Sequence, residues 1–214
     1  MTKEQVRQRI LEVKIVPVVR ASSPEQALGA ADAVRAGGIP IVEVTMTVPG
    51  AIEVIAALTR LMGSEVLIGA GTVLDAATAR KCLDAGAQFL VSPGFDAETV
   101  ALARSLNVLV MPGSLTPTEV ITAWKAGADF VKIFPCGNLG GPAYIKSLKA
   151  ALPQIPMIPT GGVNLETAAA FLRAGASALG IGGELISKAA LDSGNFAAIA
   201  ESARQYTAIV NQRV

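Results

Sequence analysis

Two charged side chains sit in stretches whose neighbours read as buried strand. In DFVKIFP, residues 129–135, Lys132 falls between Phe130 and Phe134; in IVEVT, residues 41–45, Glu43 falls between Ile41 and Thr45. Side chains on a strand alternate between faces, so Lys132 shares a face with the two phenylalanines and Glu43 with Ile41 and Thr45. A buried ammonium is costly unless it is paired, neutralised or chemically used. If both faces point into one dry interior, two readings stand. One is a structural ion pair. The other is an amine nucleophile, its charged form disfavoured by apolar surroundings, with a carboxylate nearby to shuttle protons. The second pairing is what imine chemistry requires: the amine attacks a ketone, the iminium drains electrons from the adjacent carbon, and an acid-base group moves the protons.

The chain contains no histidine. That excludes a Ser-His-Asp triad, a Cys-His pair and any histidine-ligated zinc centre, and leaves catalysis to lysine, carboxylates, hydroxyls and backbone dipoles. Other polar residues close to strand ends are candidates for binding. Arg20 ends VPVVR, where a guanidinium can grip a carboxylate or phosphate through two parallel hydrogen bonds; its alternative reading is a surface arginine at a loop start. Thr72 in GAGT and Thr160 in PTGG can hydrogen-bond a substrate, although threonines also serve as caps and turns. Trp124, in TAWKAG, is expected to pack against the core. Cys136 follows the lysine strand and borders the site without any sign of an activated thiol.

These residues need a scaffold, and the sequence supplies one. Eight short apolar runs, KIVPVVR, PIVEVTM, VLIGAGT, FLVSPG, VLVMPG, FVKIFP, MIPTGG and ALGIGG, recur about every 20 to 26 residues, the length of a strand-plus-helix unit. Between them lie alanine-rich segments of helical period. Ala-Gly precedes a strand in RAGGIPIVEV, DAGAQFLVS, KAGADFVKI and RAGASALGI, and a glycine there fits the left-handed residue that closes a helix. Ser23-Pro24-Glu25-Gln26 and Thr116-Pro117-Thr118-Glu119 read as capped helix starts with capping boxes, and Asp75, Asp96 and Asn164 as further N-caps. Eight such units predict a single domain, residues 1–214, folded as an α/β (β/α)₈ TIM barrel with a short N-terminal helix, MTKEQVRQRILEVK. An open doubly wound sheet is the alternative. The glycine signatures TGG and IGG would then lie after strands seven and eight, where such barrels often bind phosphate through backbone N–H groups.

Composition narrows the partners. A net charge of +1 over 214 residues leaves no electrostatic footprint for nucleic acid, and no apolar run is long enough for a membrane span. Two cysteines in unrelated contexts and no signal-peptide core make a reducing cytoplasm the expected compartment.

The succession VPVVRA, GGIPIVEVT, IGAGTV, GAQFLVSPG, MPGSLTPTE, FVKIFP, IPTGGV and GIGG resembles the 2-keto-3-deoxy-6-phosphogluconate (KDPG) and 2-keto-4-hydroxyglutarate (KHG) aldolase family over nearly the whole chain. The resemblance implies a class I aldolase on a homotrimeric barrel, needing no metal or cofactor and placed in the Entner–Doudoroff pathway. It would cleave the six-carbon keto acid phosphate to pyruvate and D-glyceraldehyde 3-phosphate, and also 2-keto-4-hydroxyglutarate to pyruvate and glyoxylate. It places the Schiff-base lysine at Lys132 and the proton-shuttling glutamate at Glu43. Thr72, Pro93 and Phe134 match positions that shape the pyruvate pocket; Thr160, Gly161 and Gly162 match one substrate loop, and Gly182 and Gly183 the final phosphate-binding turn. Two positions depart. Thr47 stands where some members carry an arginine, with Arg20 as its replacement, and Glu184 stands where many have a serine. The competing functions are an aldolase for the 6-phosphogalactonate epimer or an unphosphorylated keto acid, a non-catalytic trimeric barrel, and a phosphosugar isomerase or epimerase.

Overall fold

The computed structural model describes residues 1–212. Within them the backbone forms nine strands: β1 (Ile15–Val19), β2 (Ile41–Thr45), β3 (Leu67–Gly71), β4 (Phe89–Val91), β5 (Leu109–Met111), β6 (Gly113–Ser114), β7 (Val131–Ile133), β8 (Met157–Pro159) and β9 (Leu179–Ile181). All pair in parallel, in the orders β5-β4-β3-β2-β1-β9 and β6-β7-β8. The two sheets join into one ring. A bridge between Thr160 and Gly180 links the end of β8 to β9, and the chain runs from β5 through Pro112 into β6. The ring therefore has eight strand positions, as the eight apolar runs require. The fifth run is split because Pro112 has no N–H to give the ladder, although its carbonyl still accepts from the Lys132 N–H at 3.0 Å.

Helices between the strands cover the outside of the ring, from Pro24–Ala36 to Phe196–Asn211. Their starts follow the sequence signals closely. Thr116 and Glu119 close a full capping box, and Ser23, Asp75 and Asp96 each accept from the N–H three residues on. The box at Ser23 stays half-made, because the Gln26 side chain accepts instead from the backbone and hydroxyl of Ser22. Asn164 caps a turn ahead of the helix Ala168–Arg173 rather than the helix itself. Gly86, Gly127 and Gly175 take the left-handed conformation before a strand; in RAGGI it is Gly38 that does so, while Gly37 closes against Ala200 and Ala203. Trp124 departs from expectation. It is 36% exposed, and the buried residues of its helix are Val120 and Ala123.

The helix Lys3–Val13 closes one mouth of the ring. Val6 and Ile10 are buried in a cluster with Val16, Ile41, Leu67, Phe89, Leu109, Phe130 and Ile158, the inward residues near the N-terminal ends of the strands. Each such burial contributes about 1.5–3 kcal/mol. A Lys3–Asp129 ion pair at 2.8 Å and the Arg7 guanidinium 5.9 Å from the Phe130 ring centre hold the helix in place. With that end filled, the polar inward residues lie toward the C-terminal ends of the strands.

Candidate active site

Lys132 and Glu43 come from opposite walls of the ring. Lys132 on β7 pairs with Gly113 on β6 and Ile158 on β8, while Glu43 on β2 pairs with Val18 on β1 and Gly69 on β3. Both faces do point inward. Lys132 is 4% and Glu43 2% exposed, and Lys132 Nζ stands 4.0 Å from Glu43 Oε1. That is a charge contact but not a hydrogen bond, and Glu43 Oε1 has no hydrogen-bond partner among the described residues. A structural ion pair in a dry core normally closes to hydrogen-bond distance, because the desolvation of both charges is otherwise uncompensated; even the partly exposed Lys3–Asp129 pair closes to 2.8 Å.

Burial raises the Glu43 carboxyl above the ordinary carboxylate range; the positive charges of Lys132 and Arg20 pull it down, but less strongly. Desolvation therefore outweighs attraction, so the Glu43 carboxyl holds its proton to higher pH than a surface glutamate does. Phe134 places its ring centre 5.3 Å from Lys132 Nζ and is itself half-buried.

Inward glycines make room for this site. A side-chain carbon on Gly71, which pairs with Thr45, would overlap the Glu43 carboxylate, and one on Gly180 would overlap the Thr160 hydroxyl. At Gly113 it would overlap the backbone of Pro93. Just beyond Gly71, Thr72 holds φ +56°, a left-handed conformation that is strained for a β-branched residue and is found where a site fixes it. Replacing Gly71 with alanine is expected to displace Glu43 and lower turnover about 10²-fold, the scale of an ångström misplacement. Steady-state kinetics beside an unchanged circular dichroism spectrum checks this.

A cavity of about 200 Å³ opens along this end, lined by Arg20, Phe134, Thr160, Gly161, Gly162, Gly182 and Gly183, with Val18, Val163, Gly180 and Glu184. Eight of the residues singled out from the sequence, Glu184 among them, thus share one wall; Lys132 and Glu43 do not line it. Pro93 lies in an adjoining cavity of about 420 Å³ that shares Phe134. Thr72 is in neither wall. Arg20 is exposed yet near enough for its charge to act on Glu43. Thr47, also exposed, shares a 2.6 Å hydroxyl contact with Thr45, which donates to the Val19 carbonyl at 3.0 Å. Among the described residues, no three His, Cys, Asp or Glu side chains gather into a metal-binding cluster, and no helix is long and apolar enough to cross a membrane.

Comparison with known proteins places this geometry. The family model for KDPG and KHG aldolase matches residues 6–202. The chain belongs to the KDPG and KHG aldolase family. It is 36% identical over 199 residues to the 2-dehydro-3-deoxy-phosphogluconate aldolase of Treponema pallidum, covering 92% of this chain and 94% of that one. It is also 36% identical over 175 residues to the 2-dehydro-3-deoxy-6-phosphogalactonate aldolase of Escherichia coli, covering 81% and 85%. Among solved structures, the KDPG aldolase of Legionella pneumophila, with pyruvate captured as a covalent carbinolamine, superposes with a TM-score of 0.86 at 29% identity, over 94% of this chain and 97% of that one.

Two features of this KDPG and KHG aldolase chain escape a reading of residue types. Gly71 and Gly180 matter for the space they leave, which only the ring closure reveals. Ser114 is buried with an unpartnered hydroxyl beside Pro93 and Phe134; its signal was the MPGS sequence closing a strand. Cys136 and Cys82 are free and buried, each thiol pushed up to about 11 by burial, so neither is poised for reaction.

Proposed function

We propose that the protein is a class I, metal-independent aldolase that reversibly cleaves 2-keto-3-deoxy-6-phosphogluconate to pyruvate and D-glyceraldehyde 3-phosphate. The observation that carries this reading is the buried Lys132–Glu43 pair held at 4.0 Å with an unpartnered carboxylate oxygen. Lys132 Nζ attacks the C2 ketone of the substrate, and loss of water gives the iminium. Glu43 takes the proton of the C4 hydroxyl. As the C3–C4 bond breaks, its electrons flow to the iminium, and the aldehyde leaves behind a pyruvate enamine. Protonation at C3 and addition of water then release pyruvate and restore the amine. The iminium is the electron sink, so the step requires no Lewis acid.

In this reading Arg20 grips the substrate carboxylate, Thr72, Pro93 and Phe134 shape the pyruvate end, and Thr160, Gly161, Gly162, Gly182 and Gly183 receive the distal end. Cleavage of 2-keto-4-hydroxyglutarate follows from the same chemistry. A second reading, cleavage of the 6-phosphogalactonate epimer, is favoured by the 36% identity to the Escherichia coli enzyme of that name. The proposed assembly is a homotrimer, to which the exposed Trp124 and Leu139 offer apolar surface.

The deciding experiment mixes the protein with pyruvate and sodium borohydride and reads intact and peptide masses. A reduced pyruvyl adduct on Lys132 is expected. Folded protein without an adduct would overturn the imine reading, and aldol cleavage of the two phosphorylated epimers separates the substrates.

A further inference from the structure

The cavity that receives the distal end of the substrate has an unusual charge balance. Of the residues lining it, only Arg20 and Glu184 are charged, so its wall is formally neutral. Glu184 makes no ion pair among the described residues. The adjoining cavity past Gly183 adds Lys188 and Asp192, but these two are paired with each other. Among the described residues lining these two cavities, Arg20 is thus the one unpaired cation, and the proposed mechanism assigns it to the substrate carboxylate.

The rest of the wall offers neutral donors. Among the described residues, backbone N–H groups of Gly162, Val163, Gly183 and Glu184 donate to no backbone acceptor, and the Thr160 side chain is buried beside them. Such groups can serve a hydroxyl oxygen as well as a phosphate. A terminal phosphate brings about −1.5 to −2 charges to a cavity lined by Glu184, whose negative charge also reaches Tyr206, whereas a terminal hydroxyl brings none.

We propose that Glu184 makes the distal subsite accept hydroxyl-terminated 2-keto-4-hydroxy acids, so that a terminal phosphate contributes little to recognition. The substrate class therefore extends from keto acid phosphates to unphosphorylated keto-deoxy sugar acids. This rests on the Lys132 imine reading, since both substrates must be cleaved by the same amine.

The test compares kcat/KM for 2-keto-3-deoxygluconate and its 6-phosphate in the wild-type protein, Glu184→Gln and Glu184→Ser. The wild-type ratio of phosphorylated to unphosphorylated substrate is expected to lie within about tenfold of unity, and to rise about tenfold when the charge is removed. The rise should shrink in high salt, because a repulsion at an exposed carboxylate is screened. A wild-type preference for phosphate beyond about a hundredfold, or a ratio unmoved in both variants, overturns the proposal. Borohydride trapping of pyruvate is measured alongside. Lost trapping in the wild-type protein would sink the imine reading and this proposal together, whereas intact trapping with an unmoved ratio sinks this proposal alone.

Discussion

Lys132→Ala is expected to abolish both pyruvate trapping and aldol cleavage, lowering kcat by on the order of 10⁵-fold or more, the scale seen when a covalent nucleophile is removed. The chain has no histidine, both cysteines are buried with thiols pushed up to about 11, and Lys132 is the only buried lysine among the described residues, so no other buried amine is placed to form an imine with a ketone. The substitution also leaves Glu43 buried without its nearest counter-charge, and a stranded buried charge can unfold a protein. A folding defect would mimic a chemical one. The double variant Lys132→Met with Glu43→Gln removes both charges and keeps the volume, so it separates the two causes. It is expected to fold with a normal urea midpoint and still form no adduct. Cleavage by Lys132→Ala at more than about a thousandth of the wild-type rate would assign the amine elsewhere.

Much of this molecule was readable before its structure. The eight strand positions were legible because each strand is buried on both faces and so reads as an unbroken apolar run, against which Lys132 and Glu43 stand out. Caps at Ser23, Asp75, Asp96 and Thr116 were legible because capping is local chemistry. What stayed hidden depends on closure. Nothing local says that β2 and β7 face one another across the ring, or that Gly71 is small because Glu43 lies against it. The split of the fifth strand at Pro112 was in plain sight as VLVMPG, but an apolar run masks the missing donor. Trp124 misled because an aromatic at helical spacing is more often core than surface, and the helix turned it outward while burying Val120 and Ala123.

Glu43→Gln is the substitution that divides the chemistry most cleanly. The amide occupies nearly the same space and keeps the wall opposite Lys132, so pyruvate should still be trapped by borohydride. Turnover should nevertheless fall about 10²- to 10⁴-fold, because the C4 hydroxyl loses its base. The pH profile carries the same signature. Burial holds the Glu43 carboxyl above the ordinary range, so the wild-type kcat/KM should climb with pH along an acid limb displaced upward from that range, and the variant should lack that limb. Stability moves with the opposite sign. A carboxyl whose folded pKa is raised contributes stability fully present below its unfolded pKa and lost as pH rises through the folded one. The urea midpoint of the wild-type protein should therefore fall relative to that of Glu43→Gln as pH is raised across this window. A variant that gains relative stability toward neutral pH while losing turnover there would show the fold tolerating a charge that only the reaction uses. Parallel profiles of both stability and activity would leave Glu43 a structural counter-ion.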